Sequence, residues 1–123
     1  MDAESLREYF LAKPSVTEET PCGPDVLVYK VAGKMFATFG FEIEDGEESP
    51  RTNLKCDPER AIELRADYEA ILPGYHMNKK HWNTVVMDGS FSDEQGRKWI
   101  SDSYNLVAES LPKKLKSELN LMP

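Results

Sequence analysis

Val26–Val31 and Met35–Phe41 are two runs rich in β-branched and aromatic residues, joined through the two-residue connection Ala32-Gly33. So short a link permits only a tight β-hairpin, with Gly33 taking the positive-φ position such a turn needs. Lys30 and Lys34 flank its tip. The hairpin commits this part of the chain to antiparallel pairing, and everything that follows has to be packed around it.

The flanking segments read as helices and further strands. Residues 2–12 form a helix with Asp2 as N-cap and Leu6, Tyr9 and Phe10 on one apolar face; Pro14 ends it. PCGP, Pro21–Pro24, is a turn cluster. EDGEES, Glu44–Ser49, reads as an exposed acidic loop that lacks the alternating ligands of a calcium loop. Arg51–Cys56 is a short strand. Asp57 then caps a helix with Pro58 at its first position and a core stripe of Ala61, Leu64, Tyr68 and Ile71. His76–Met77 and Trp82–Met87 read as two strands. Ser92 and Gln95 form a capping box for a last helix that runs to about Leu111, with Ile100, Tyr104, Val107 and Leu111 on one stripe. Gly96 weakens its first turns and leaves room for a break near Ser101. Residues 112–123 read as a frayed tail. The order is one helix, three strands, a helix, two strands and a helix. Helices and hairpins are segregated, which predicts an α+β fold with a largely antiparallel sheet and helices packed on it.

A chain of 123 residues is one domain and can bury a core without metal or disulfide help. It has no apolar run long enough to span a bilayer and no signal-peptide pattern at its start, so it is expected in the cytoplasm with Cys22 and Cys56 as free thiols. The formal net charge of −7 argues against a protein that coats nucleic acid indiscriminately. The charge is uneven, however: residues 1–70 carry a net −8 and residues 71–123 a net +1.

Pro73–Val85, PGYHMNKKHWNTV, gathers both histidines, a Lys-Lys pair and one of the 2 tryptophans. Lys79 and Lys80 can neutralise phosphates. His76, Asn78, His81 and Asn83 can donate hydrogen bonds to phosphates or base edges, and Tyr75 and Trp82 can pack on sugars or bases. Lys30 and Lys34, Arg97 and Lys98, or the tail lysines Lys113–Lys116 would have to assist. The bland alternative is a core strand with a charged hairpin tip, in which Trp82 is interior and the polar side chains satisfy backbone groups. His76 and His81 are spaced poorly for a shared metal. Cys56 precedes a helix N-terminus, yet Asp57 beside it disfavours a thiolate. No phosphate loop, nucleophile elbow or zinc pattern is present, so no catalytic residue, no metal and no cofactor is expected.

The blocks GPDVLVYKVAGKMFA, LKCDPERA, PGYHMNKKHWNTV and SYNLV resemble the MmcQ/YjbR family of small bacterial proteins, across nearly the whole chain. The resemblance implies an α-β(3)-α-β(2)-α fold similar in shape to CyaY-like proteins and secretion chaperones. It also implies DNA binding through a "double wing", two projections flanking a helix. The nucleic-acid contacts would then be His76, Asn78, Lys79, Lys80, His81, Trp82, Asn83, Lys30 and Lys34, in a monomer. The alternative expectation is a protein- or peptide-interaction module whose acidic half, around Glu42–Glu48, attracts a basic protein partner.

Overall fold

The computed structural model describes residues 2–21, 23–44, 47–75 and 77–119, without the side chains of residues 42–49. Six strands form one antiparallel sheet: β1 (Val16–Glu19), β2 (Val26–Val31), β3 (Lys34–Glu44), β4 (Glu47–Lys55), β5 (Ile71–Pro73) and β6 (Trp82–Val86). Their spatial order is β1-β2-β3-β4-β6-β5. The helices are α1 (Ala3–Leu11), α2 (Pro58–Asp67), α3 (Asp93–Glu109) and α4 (Lys113–Glu118). The α+β class and the antiparallel sheet are as the sequence predicts.

The hairpin forms as expected, with both turn residues at positive φ, 49° at Ala32 and 84° at Gly33. This is the type I′ pattern, whose twist matches that of the strands. A register shift between Tyr29 and Lys30 makes Phe36 an extra residue in β3. The bulge brings Phe36 and Ala37 both to the core, each 0% exposed. Side chains alternate along the strands, so Tyr29, Val31, Phe39, Leu54, Ile71 and Val85 join Leu6 and Phe10 of α1, Leu64 of α2, and Trp99, Ile100, Tyr104 and Val107 of α3 in one core. Phe10 stacks on Tyr29 at 4.4 Å between ring centroids and meets Phe36 edge-on. Among the described residues no helix packs on the opposite face of the sheet.

Several predicted boundaries change. Val16–Glu19 is an edge strand; its single apolar residue, Val16, is too little to announce it. The core stripe read along one helix is split, because α2 stops at Asp67 and Ile71 enters β5. The partner of β6 is Ile71–Pro73, not His76–Met77: Met77 lies in the connecting loop, and His76 falls outside the described residues. Pairing of Glu42 with Ser49 and Glu44 with Glu47 turns most of the expected acidic loop into ladder, with residues 45 and 46 outside the described ones. α3 is unbroken at Ser101. A Cβ on Gly96 would come within 3.3 Å of the Phe91 ring, so this glycine serves close packing and not a hinge. Much of the expected frayed tail is α4, held by Leu115 against the core. Cys22 lies outside the described residues.

Two polar anchors tie the layers. The buried Ser103 hydroxyl accepts from the Lys55 N–H at 2.8 Å and donates to the Phe36 carbonyl at 2.6 Å. Glu18 of β1 receives paired hydrogen bonds from Arg7 of α1, at 2.7 and 2.9 Å, and one from the Tyr29 hydroxyl at 2.8 Å. The Arg7 bonds hold the Glu18 carboxyl below its ordinary range, against burial, and Tyr29 assists. Burial and the adjacent carboxylate push the Tyr29 hydroxyl far up.

Ser103→Ala should cost about 2 kcal/mol in denaturant unfolding, because two buried backbone groups lose their partner; a loss below about 0.5 kcal/mol would mean that water replaces the hydroxyl. Glu18 is a depressed carboxylate, so its contribution is present above the ordinary glutamate pKa of ~4.3 and lost as pH falls through the lower folded value. Arg7 is half-exposed, which keeps that contribution to about 1 kcal/mol. The stability gap between wild type and Glu18→Gln should therefore be flat near neutrality and close in acid. A gap that persists unchanged at pH ~2 would contradict this.

Candidate nucleic-acid interface

The hairpin tip and the β5–β6 loop, residues 74–81, project from the same end of the sheet. Leu54 of β4 sets this: it pairs with Ala37 on one side and Asn83 on the other. Lys34 and the tip lie just beyond Ala37, and residues 74–81 lie just beyond Asn83. Three strand spacings separate the two projections, about 14 Å. α2 begins between them, with Asp57 capping the Arg60 N–H and Glu59 in its first turn. Those carboxylates oppose a phosphate at that point.

The β5–β6 loop is closely held. Gly74 donates its N–H to the Trp82 carbonyl at 3.0 Å. A Cβ there would come within 2.8 Å of that oxygen and 2.9 Å of the Trp82 Cβ, so no side chain fits. Asn78 makes the turn: its Oδ1 accepts from the Lys80 N–H, and its carbonyl accepts from the N–H groups of His81 and Trp82. Arg65, in the last turn of α2, donates to the Lys79 carbonyl at 3.1 Å. The Cys56 N–H donates to the His81 carbonyl at 2.8 Å, which joins the loop to β4. The loop's own geometry thus accounts for Gly74 and Asn78 of PGYHMNKKHWNT.

Asn78, Lys79 and Lys80 are exposed, as a contact surface requires. The Lys79 ammonium leans on the Gly74 carbonyl at 3.1 Å, while the Lys80 side chain has no partner among the described residues. Tyr75 is 55% exposed and His81 half-buried. Two expected contacts are corrected. Trp82 is 9% exposed and Asn83 2%, because each occupies a strand position closed in by neighbouring elements, and neither can reach DNA. Lys30 is neutralised by Glu19 at 2.7 Å, and Lys34 reaches Ser110 at the end of α3 at 3.3 Å. Lys98 pairs with Asp102 on α3.

Among the described residues no cluster of three His, Cys, Asp or Glu side chains could hold a metal. Burial, then the Asp57 carboxylate, pushes the Cys56 thiol up, which keeps it protonated and a poor nucleophile. Sequence reasoning missed Lys55, which pairs with Trp82 across β4–β6 and lies on the open face with Arg51 and Asn53. The alternation of these three polar residues with buried Thr52 and Leu54 was the available signal. On that face, Arg51, Asn53, Thr84, Tyr75 and Met77 line a shallow groove of about 350 Å³. Thr84 accepts from the Tyr75 N–H at 2.9 Å and donates to Asn53, so the loop is fastened to this face as well.

Gly74→Ala should lower stability by about 1–3 kcal/mol and displace the amide resonances of residues 74–82, because the new methyl meets backbone and not a flexible side chain. Unchanged stability and shifts would show that the loop yields without cost.

A YjbR family model matches residues 11–106. The uncharacterised Escherichia coli O157:H7 protein YbdF is 39% identical over 118 residues, covering 93% of each chain. Uncharacterised YjbR of Escherichia coli K12 is 32% identical over 112 residues, covering 91% of this chain and 92% of that one. The crystal structure of Deinococcus radiodurans DR2400 superposes with a TM-score of 0.85 at 36% identity, over 98% of this chain and 88% of that one. A Pseudomonas syringae crystal structure gives 0.77 at 27% identity, over 87% and 99%. Sequence and fold agree that the chain belongs to the YjbR family.

Proposed function

We propose that the chain contacts duplex DNA as a monomer in the cytoplasm, weakly and with little sequence preference, through the loop carrying Lys79 and Lys80 and the hairpin tip carrying Lys34. The observation that carries this reading is the shared direction of the two projections. Their separation of about 14 Å is comparable to the ~12 Å width of the major groove. The double-wing arrangement that the family resemblance implies has the same outline. The net charge of −7 and the acidic start of α2 confine the contact to the projections themselves. Few cations are then engaged, which is why affinity is modest and specificity low.

A second reading rests on the other end of the sheet. Beyond the pairs Val26–Gly40 and Arg51–Val86, β3 and β4 continue alone as a two-stranded ribbon. The sequence over residues 42–48 carries five carboxylates, a composition suited to a basic protein.

Fluorescence anisotropy with a mixed-sequence duplex over a salt series separates the readings. Replacing Lys79 and Lys80 by alanine should weaken binding at every sequence and reduce the log–log salt slope by about 1.8. An unchanged slope would end the DNA reading. A nuclease-resistant complex with a basic protein, lost when the ribbon carboxylates are neutralised, would put the second reading in its place.

A further inference from the structure

A cavity of about 390 Å³ takes its lining from the helix-covered face of the sheet and from both α2 and α3. Its buried lining is largely apolar: Leu54, Leu64, Ile71, Val85 and Trp99. Its exposed lining is polar apart from Leu106, which is 37% exposed. The volume falls within the ~300–1,000 Å³ of small-molecule sites and far exceeds the ~30 Å³ share of one water.

Five charged residues contribute to this lining: Lys55, Asp57, Arg60, Asp102 and Glu109. Three of them are spent elsewhere. Arg60 pairs with Glu63 at 3.0 Å, and Lys98 donates to both oxygens of Asp102, at 3.3 and 2.9 Å. Lys55 follows the core residue Leu54 along β4, so strand alternation sends its side chain to the far face of the sheet. Asp57 and Glu109 remain. Both are exposed, and neither has an ion pair among the described residues. The Asp57 carboxylate is engaged only by the Arg60 backbone N–H, at 3.5 Å.

The Cys56 thiol, also in the lining, registers the resulting field. Burial pushes it up first, the Asp57 carboxylate next, and Asp102 adds to them against the opposing pull of Arg60 and Arg65. The cavity thus joins an apolar interior to an opening where uncompensated charge is negative. A net charge of −7 on the chain as a whole favours cations there further.

We propose that this cavity takes a small organic amine in its protonated form, an aromatic or branched apolar body entering among Leu64, Trp99 and Leu106 while the ammonium stays at the opening, within the field of Asp57 and Glu109. The inference does not depend on the DNA reading, since the cavity lies among the helices and not on the lysine-bearing projections.

The test is an NMR titration of the full chain, at low salt and pH 7, with three probes of similar size: phenethylamine, 2-phenylethanol and 3-phenylpropionate. The amine should move the methyl resonances of Leu64 and Leu106 and the ring N–H of Trp99, with a dissociation constant on the order of 1 mM. The alcohol should bind about 5-fold more weakly, and the acid more weakly still. Sodium chloride at ~1 M should remove most of the amine's advantage over the alcohol. Asp57→Asn with Glu109→Gln should bring the amine to the affinity of the alcohol and leave the alcohol unchanged, because asparagine still caps α2 and loss of a carboxylate from the last turn of α3 suits that helix end. Glu109→Gln alone serves, with a partial loss, if the pair of changes disturbs the fold. No movement of these resonances with the amine, an acid that binds as well as the amine, or an amine preference that survives intact in the folded charge variant would each overturn the proposal.

Discussion

One buried hydroxyl, that of Ser103, fastens α3 to the middle of the sheet. The bulge at Phe36 turns two consecutive residues of β3 toward the core, and the β3–β4 ladder stops at the pair Ala37–Leu54. The Phe36 carbonyl and the Lys55 N–H are left without each other, and Ser103 of α3 supplies one oxygen that serves both. A larger residue would hold α3 away from the sheet, and an apolar one would strand two backbone groups in the core. The position of Ser103 also fixes the rotation of α3. Ile100, Tyr104 and Val107 then face the strands, and the Tyr104 hydroxyl reaches the Pro14 carbonyl at 2.6 Å, which secures the segment after α1.

The remaining chemistry is divided by the two faces and two ends of the sheet. The helix-covered face holds the core. The open face holds Asn53 and Thr84, linked to each other and to the β5–β6 loop, beside the apolar Val26 and Val28. One end bears the two lysine-carrying projections, and the other bears the acidic ribbon. α2 belongs to two of these regions, since Asn83 holds its Ala61 carbonyl and its Arg65 holds the carbonyl of Lys79.

What was legible in the sequence had local causes. The tight hairpin, the Asp57 cap followed by Pro58, and the Ser92 cap of α3, whose oxygen accepts from the Gln95 N–H at 3.1 Å, are written in adjacent residues. β5 was hidden because Ile71–Pro73 is only three residues long and continues the apolar spacing of α2; its strand state comes from pairing with β6. β1 was hidden because it is a short, charged edge. Within the candidate interface the turn at Lys79-Lys80 was readable, but the burial of Trp82 and Asn83 depends on what other elements place over them.

The ribbon of β3 and β4 has a consequence for how copies of this chain behave in solution. Past Gly40 and Arg51 neither of its edges has a neighbouring strand among the described residues, and bare strand edges are templates for pairing with another molecule. Pro50 brings no N–H to that stretch, and the acidic sequence over residues 42–48 makes a second identical ribbon electrostatically unwelcome. The acidity that weakens any hold on nucleic acid thus also guards the chain against adding itself, edge to edge, into larger sheets.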